Sequence, residues 1–186
     1  MPDAVSTERP VGESVQPKIE FPKSKLQRFL AYRRLWLLAA IVLAADQVSK
    51  GWIARHIPFG ATSSSGDAIV MIPHFFYITH VGNPGAAWSM FTGYGTVLGI
   101  LAAATLIAVF IWRQALGLHN QVVQICFGLL CGGIAGNLID RMRYGYVIDF
   151  IDLHFGSYVY PTFNVADSGI CIGVLLYLGH SLRTQK

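Results

Sequence analysis

Glutamate disappears from this chain after Glu20, and from there on charge of either sign is scarce. Only 13% of the 186 residues are charged and 53% are hydrophobic, where an ordinary soluble domain carries roughly 25% charge. No Lys, Arg, Asp or Glu occurs between Asp67 and Arg113, between Arg113 and Asp140, or between Asp167 and Arg183. A membrane-crossing helix needs about 20 mostly apolar residues, so gaps of this kind exclude an ordinary soluble fold. Cysteine is nearly absent as well. Cys126, Cys131 and Cys171 are odd in number, lie in apolar surroundings and form no Cys-x-x-Cys pair, which argues against a disulfide framework and reads as small core residues. The formal charge of +4 could suit nucleic acid. Its basic residues, however, concentrate ahead of the first apolar run, where membrane topology accounts for them and no nucleic-acid partner is implied.

What is present organises into one membrane domain behind a polar tail. Residues 1–28 hold Pro2, Pro10, Pro17 and Pro22 among alternating charges, a composition expected to remain a disordered cytoplasmic tail. A basic stretch from Lys23 to Arg34 then meets the interface. Apolar runs predict spans at about 35–53, 94–112, 122–139 and 164–182 in a domain covering 29–186. The first run resembles a signal peptide only superficially. Its tail is long and no small-x-small cleavage site precedes Asp46, so a retained anchor is expected. The connections 56–93 and 141–163 contain β-branched and aromatic segments at Ile69–Ile72, Phe75–Val81 and Val147–Leu153 that predict short strands. Asn83-Pro84-Gly85 is a turn signal, and Ala86–Phe91 could form a short interfacial helix. Gly128, Gly132 and Gly136 recur at four-residue intervals, which lets helix backbones approach closely in lipid. The expected fold class is an all-α integral membrane protein with four transmembrane helices and a small extracytoplasmic β/loop cap.

Counting Lys and Arg orients it. The tail through Arg34 is rich in them, Arg113 lies between spans 2 and 3, Arg183 and Lys186 close the chain, and 56–93 has none. The positive-inside rule therefore sets both termini in the cytoplasm and both long loops outside. In that orientation the polar motifs converge on one membrane face: Asp46 and Lys50, Asn83, Asn137 to Arg141, Asp149, and Asn164 with Asp167. Ionisable groups at span ends are costly, and a functional role is the default reading. Asp46 and Lys50 stand at i, i+4, a favourable order for an ion pair, and a structural clamp is the conservative reading. Asp140 could pair with a cation and hold the end of span 3, while the fork of Arg141 suits substrate oxygens.

Asp149 and Asp167 are the stronger chemical candidates. In an extended Val147–Leu153, Asp149 shares a face with Ile151 and Leu153 while Asp152 points the other way, so only one of these two aspartates faces the site. Asp167 falls in the first turn of span 4 with Asn164 as a plausible N-cap, on a stripe continued by Ser168 and Cys171. The helix dipole favours its anion, whereas the apolar neighbours of Asp149 raise its pKa. One acid and one base flanking a water could hydrolyse a peptide without a covalent intermediate. Buried structural hydrogen bonding is the conservative alternative for the pair. Other chemistries are thinner. There is no His-Glu-x-x-His and no Gly-x-Ser-x-Gly, and the facing rule splits Asp149 from Asp152 and His154 as metal ligands. His74, His80, His119 and His180 read as interfacial. Trp36, Trp52, Trp88 and Trp112 read as an aromatic belt. A proton-relay transporter would need ionisable groups spread through the bilayer depth, and a non-catalytic lipid-binding protein would tolerate Asp-to-Asn changes.

Five motifs in order resemble those of the lipoprotein signal peptidase (signal peptidase II) family: Asp46-Gln47-Val48-Ser49-Lys50, Asn83-Pro84-Gly85-Ala86-Ala87-Trp88, Gly136-Asn137-Leu138-Ile139-Asp140-Arg141, Val147-Ile148-Asp149-Phe150 and Phe163-Asn164-Val165-Ala166-Asp167. The resemblance covers about residues 35–182 and leaves the long tail unexplained. It implies an aspartic endopeptidase of the bacterial inner membrane, working at the outer face without metal or other cofactor. Its substrates would be prolipoproteins carrying diacylglycerol on a lipobox cysteine, cut just before that cysteine. It also implies Asp149 and Asp167 as the catalytic dyad. Asn83, Gly85, Asn137, Arg141 and Asn164 would lie around the substrate, supported by Asp46, Lys50 and Asp140. Membrane lipids, globomycin-type cyclic peptides and a monomeric state complete what the resemblance implies.

Overall fold

The structure, a computed structural model, describes residues 29–85 and 90–184. Expectations for the 1–28 tail, for Trp88 and for most of the helix proposed at Ala86–Phe91 lie outside those residues. The elements run α1 (Arg33–His56), β1 (Ile69–Ile72), β2 (Phe76–Asn83), α2 (Gly95–Ile111), α3 (Gln121–Tyr144), β3 (Val147–Phe155), β4 (Tyr158–Val159) and α4 (Val165–Thr184). Among the described residues, α1, α3 and α4 are long and apolar enough to cross a membrane, while α2 is apolar but shorter, with 17 residues. The second expected span is trimmed because Gly93 takes φ +89° just before the helix and a turn closing at Gly117, φ +71°, follows it.

α3 runs past Ile139, the expected end of the third span, to Tyr144, and carries Asn137, Asp140 and Arg141 at helical spacing in its last turns. Gly145, at φ +79°, ends the helix in a left-handed cap whose N–H bonds the Arg141 carbonyl. At the other end the Asn120 side chain accepts from the amides of Val122 and Val123.

α3 is the central helix. A methyl group on Gly128 would stand 2.9 Å from Leu35 O, and one on Gly132 would stand 2.7 Å from Ala39 O, so glycine here permits backbone contact with α1. Gly173 of α4 comes equally close to Cys126 O. Leu35, Val109, Leu118, Val123, Cys126 and Phe127 form an apolar core at one end of the bundle. Ile53, Ile57, Ala61, Ile148 and Phe150 form a second core at the other end, under the sheet.

The sheet is antiparallel between neighbours, in the order β1-β2-β3-β4. Its register moves from Ile78 opposite Ile151 to Val81 opposite Asp149, so β2 carries one extra residue in a bulge at Thr79 and His80. His80 is buried there, its Nδ1 2.8 Å from Ile57 O, rather than lying at the surface. β4, for which no strand was expected, pairs Val159 with His154.

Candidate active site

Four segments meet where the sheet joins the bundle: the C-terminal halves of α1 and α3, the N-terminus of α4, and β3 with the end of β2. Their lowest layer is an ion cluster. Lys50 Nζ lies 2.9 Å from Asp46 Oδ2 and 2.8 Å from Asp140 Oδ2, and all three side chains are essentially buried. The remaining oxygens are also engaged: Asp46 Oδ1 accepts from Ala166 N at 2.9 Å and Asp140 Oδ1 from Gln47 Nε2 at 3.0 Å, while Asp140 Oδ2 accepts a second bond from Ile148 N at 3.2 Å. The two carboxylates therefore fix both the start of α4 and the start of β3.

Lys50 also reaches upward, donating to Asn137 Oδ1 at 2.9 Å. An ammonium only donates, so Asn137 must turn its oxygen to Lys50 and its amide to the other side. That amide donates to Asp167 Oδ1 at 2.7 Å. Asn164 forms a reciprocal cap at the head of α4: its Oδ1 accepts from Asp167 N at 2.9 Å, and its own N–H donates to Asp167 Oδ2 at 3.3 Å. The Asn164 side-chain amide donates to Asp149 Oδ1 at 2.7 Å. Asn83 donates to Asp149 Oδ2 at 2.9 Å while its oxygen accepts from Gly85 N. Arg141 holds the same turn, donating to Gly85 O at 2.9 Å.

The sequence-derived candidates thus form one connected network. Asp149 and Asp167 both line a cavity of about 660 Å³ together with Asn83, Asn137 and Arg141, and apart from Thr162 and Ser168 its other walls are mostly apolar. A cavity of about 610 Å³ between α1, α2 and α3 touches none of these groups and is remote from the acids. Burial pushes the Asp149 carboxyl up to about 7. The Asp167 charge acts in the same direction, and the Asn83 and Asn164 amides and the Lys50 charge act against it.

Two readings need adjustment. Gln47, not singled out within its motif, donates to Asp140 Oδ1 at 3.0 Å, to Asp46 Oδ2 at 3.2 Å and to Gly136 O at 3.3 Å. Its one visible signal is an amide next to Asp46 inside an apolar run. Cys171 is exposed and lines the cavity rather than the core. Asp152 sits on the opposite face of β3 from Asp149, with His154, and no three His, Cys, Asp or Glu side chains gather as metal ligands among the described residues.

Fold and site together define a helical membrane protein with an acid pair opening onto an apolar cavity. A family model described as signal peptidase (SPase) II matches residues 38–183, and the chain belongs to this family of bacterial membrane peptidases. It is 38% identical over 150 residues to the lipoprotein signal peptidase of Syntrophotalea carbinolica, covering 79% of this chain and 89% of that protein. It is 41% identical over 145 residues to the lipoprotein signal peptidase of Oleidesulfovibrio alaskensis, covering 75% and 88%. A solved bacterial membrane enzyme superposes with a TM-score of 0.73 at 37% identity, over 82% of this chain and 89% of that one.

Proposed function

We propose that this chain is an aspartic endopeptidase that removes the signal peptide from prolipoproteins whose lipobox cysteine already carries diacylglycerol, cutting just before that cysteine. The observation that carries the reading is the acid pair itself: two carboxylates on one cavity, each held by asparagine amides. The raised Asp149 pKa supports a pair that shares one proton near neutral pH. A water between the acids gives its proton to the ionised carboxylate as its oxygen attacks the scissile carbonyl, while the other acid protonates the carbonyl oxygen. Collapse of the tetrahedral intermediate breaks the C–N bond, and the amine leaves with a proton returned by the pair. No covalent enzyme intermediate and no metal enters.

The apolar walls suit a substrate whose acyl chains remain in lipid while only its peptide groups need polar partners. Asn83, Asn137 and Arg141 are the groups to offer them, and globomycin-type cyclic peptides would compete for the same cavity. Anchoring enzyme and substrate in one membrane removes much of the orientational search. The reading extends to four spans, counting α2, in the bacterial cytoplasmic membrane. Both termini are cytoplasmic and the sheet caps the outer face, with a 29–186 domain behind a 1–28 tail and a monomeric state. Purified chain incubated with lipidated and unlipidated precursor tests the substrate class. Cleavage of the lipidated form alone is expected, and equal cleavage of both would remove diacylglycerol from the reading.

A further inference from the structure

The cavity of about 610 Å³ lies at the end of the bundle away from the acid pair, and its size is that of an ordinary ligand site, about 300–1,000 Å³. It exists because α2 packs chiefly against α3, which leaves a cleft between α2 and α1. At its base Leu35, Val109 and Leu118 belong to the buried core, so packed side chains set its shape. From there it climbs past Leu106 to Ala135, which lies about 21 Å along α3 from Gln121. Arg113 is the one charged side chain among the described residues of its lining. Its Nη1 donates to Phe110 O at 2.7 Å, and the guanidinium carbon stands 5.0 Å from the centre of the Phe110 ring. A guanidinium carries five N–H donors, and no carboxylate meets those that remain. Among the described residues no ion pair reaches Arg113, nor Arg33 or Arg34, which flank the lining residues Tyr32 and Leu35. The described aspartates all stand toward the other end. Even Asp46, on the same helix as Arg33, is about 20 Å further along it.

We infer that this cleft holds one anionic glycerophospholipid, with an acyl chain along its apolar walls and the phosphate on Arg113. Basic pockets between membrane helices take anionic head groups, and the planar fork of arginine matches a pair of phosphate oxygens. Charge complementarity chooses the occupant. Cationic groups without acidic partners favour a lipid of net negative charge over a zwitterionic one of the same chain length. Phe29 stacks on Trp36 at 5.9 Å along the same rim, an aromatic pair of the kind that sits at head-group level. The bound lipid joins α2 to α1 across the gap, and so steadies the shortest of the four helices. The site goes beyond the peptidase reading and does not depend on it; under the topology proposed above it faces the cytoplasmic leaflet.

The test is native mass spectrometry of the full chain, delipidated in detergent and offered equal amounts of dioleoylphosphatidylglycerol and dioleoylphosphatidylcholine. The wild-type chain should retain one phosphatidylglycerol, at least tenfold in preference to phosphatidylcholine. Arg113→Gln should lower that retention at least fivefold, and Leu106→Trp, which fills the cleft, should do the same. Arg183→Gln removes an exposed cation at the same end of the bundle but outside the cleft, and should leave retention unchanged. Asp149→Asn should also leave it unchanged, so the lipid site and the peptidase chemistry are read separately. Phosphatidylglycerol should raise the melting temperature of the wild-type chain and not that of Arg113→Gln, since a ligand of the folded state stabilises it. The wild-type preference between the two lipids decides the matter even if a variant misfolds. Equal retention of both lipids, no retention, a lipid-free dimer, or a loss as large in Arg183→Gln as in Arg113→Gln overturns the site.

Discussion

At the scale of single residues, asparagine orientation governs the site. Lys50 dictates which way Asn137 points, and Asn137 in turn donates to Asp167, so a buried cation one asparagine away sets the hydrogen bonding of Asp167. Asp149 is pushed up to about 7, above the ordinary unfolded value of about 3.9. Folding therefore favours its protonated form, and this contribution to stability is full below about pH 4 and lost as pH rises through 7. A pair needing one shared proton should lose activity above about pH 7. Because the Asn83 amide holds the Asp149 pKa down, Asn83→Ala should shift the alkaline limb of the kcat/KM profile upward, and a downward shift or no shift contradicts the assignment. Lys50→Met would leave Asp46 and Asp140 buried without their cation. It should cost about 3–5 kcal/mol in a thermal melt, and wild-type melting would refute the clamp. Asp46→Ala, losing both Lys50 and the Ala166 N–H, should likewise act first on stability. It contradicts this if it melts normally yet does not cut. The i, i+4 spacing made the Asp46–Lys50 pair legible. That Asp140 pairs with a cation was legible too, but that the cation is Lys50 was not, because nothing local says that α1 and α3 abut at that level.

At the scale of elements, periodicity carried most of the information. Strand alternation alone separated Asp149 from Asp152, because side chains on a strand point alternately to its two faces whatever the tertiary context. The four-residue glycine spacing gave one face of α3 but not the neighbouring Gly133, which meets Ala166 O of α4 and lies off that row. Helix ends were harder. The third span was expected to end near Ile139, yet the Gly145 cap lets the helix run on to Tyr144. β4 was illegible because a two-residue strand has no period to read. Gly132→Val tests the α1–α3 contact: its side chain would collide with Ala39 O, lowering stability by about 1–3 kcal/mol. An unchanged melting temperature would mean that the helices are not in backbone contact there.

For the whole molecule, sparse charge gathered at one end of a helical bundle is what ties membrane, cavity and chemistry together. The 17 residues of α2 rise about 26 Å, a little under a bilayer core of about 30 Å. Its role as a fourth span is therefore best tested by topology. A C-terminal phosphatase fusion, active only outside the cytoplasm, should be silent, and a bright signal would demand an odd number of crossings. Lys and Arg counts supply that orientation as an expectation for the fusion to test, whereas the cavity had no local signal, since it arises from β3 and α4 closing on each other across a loop. The most direct measurement is cleavage of a diacylglyceryl-prolipoprotein by Asp149→Asn and Asp167→Asn, each shown by its melt to remain folded. Turnover should fall by roughly 10²–10⁴-fold or more in both, and near-wild-type turnover by either would remove that carboxyl from the chemistry.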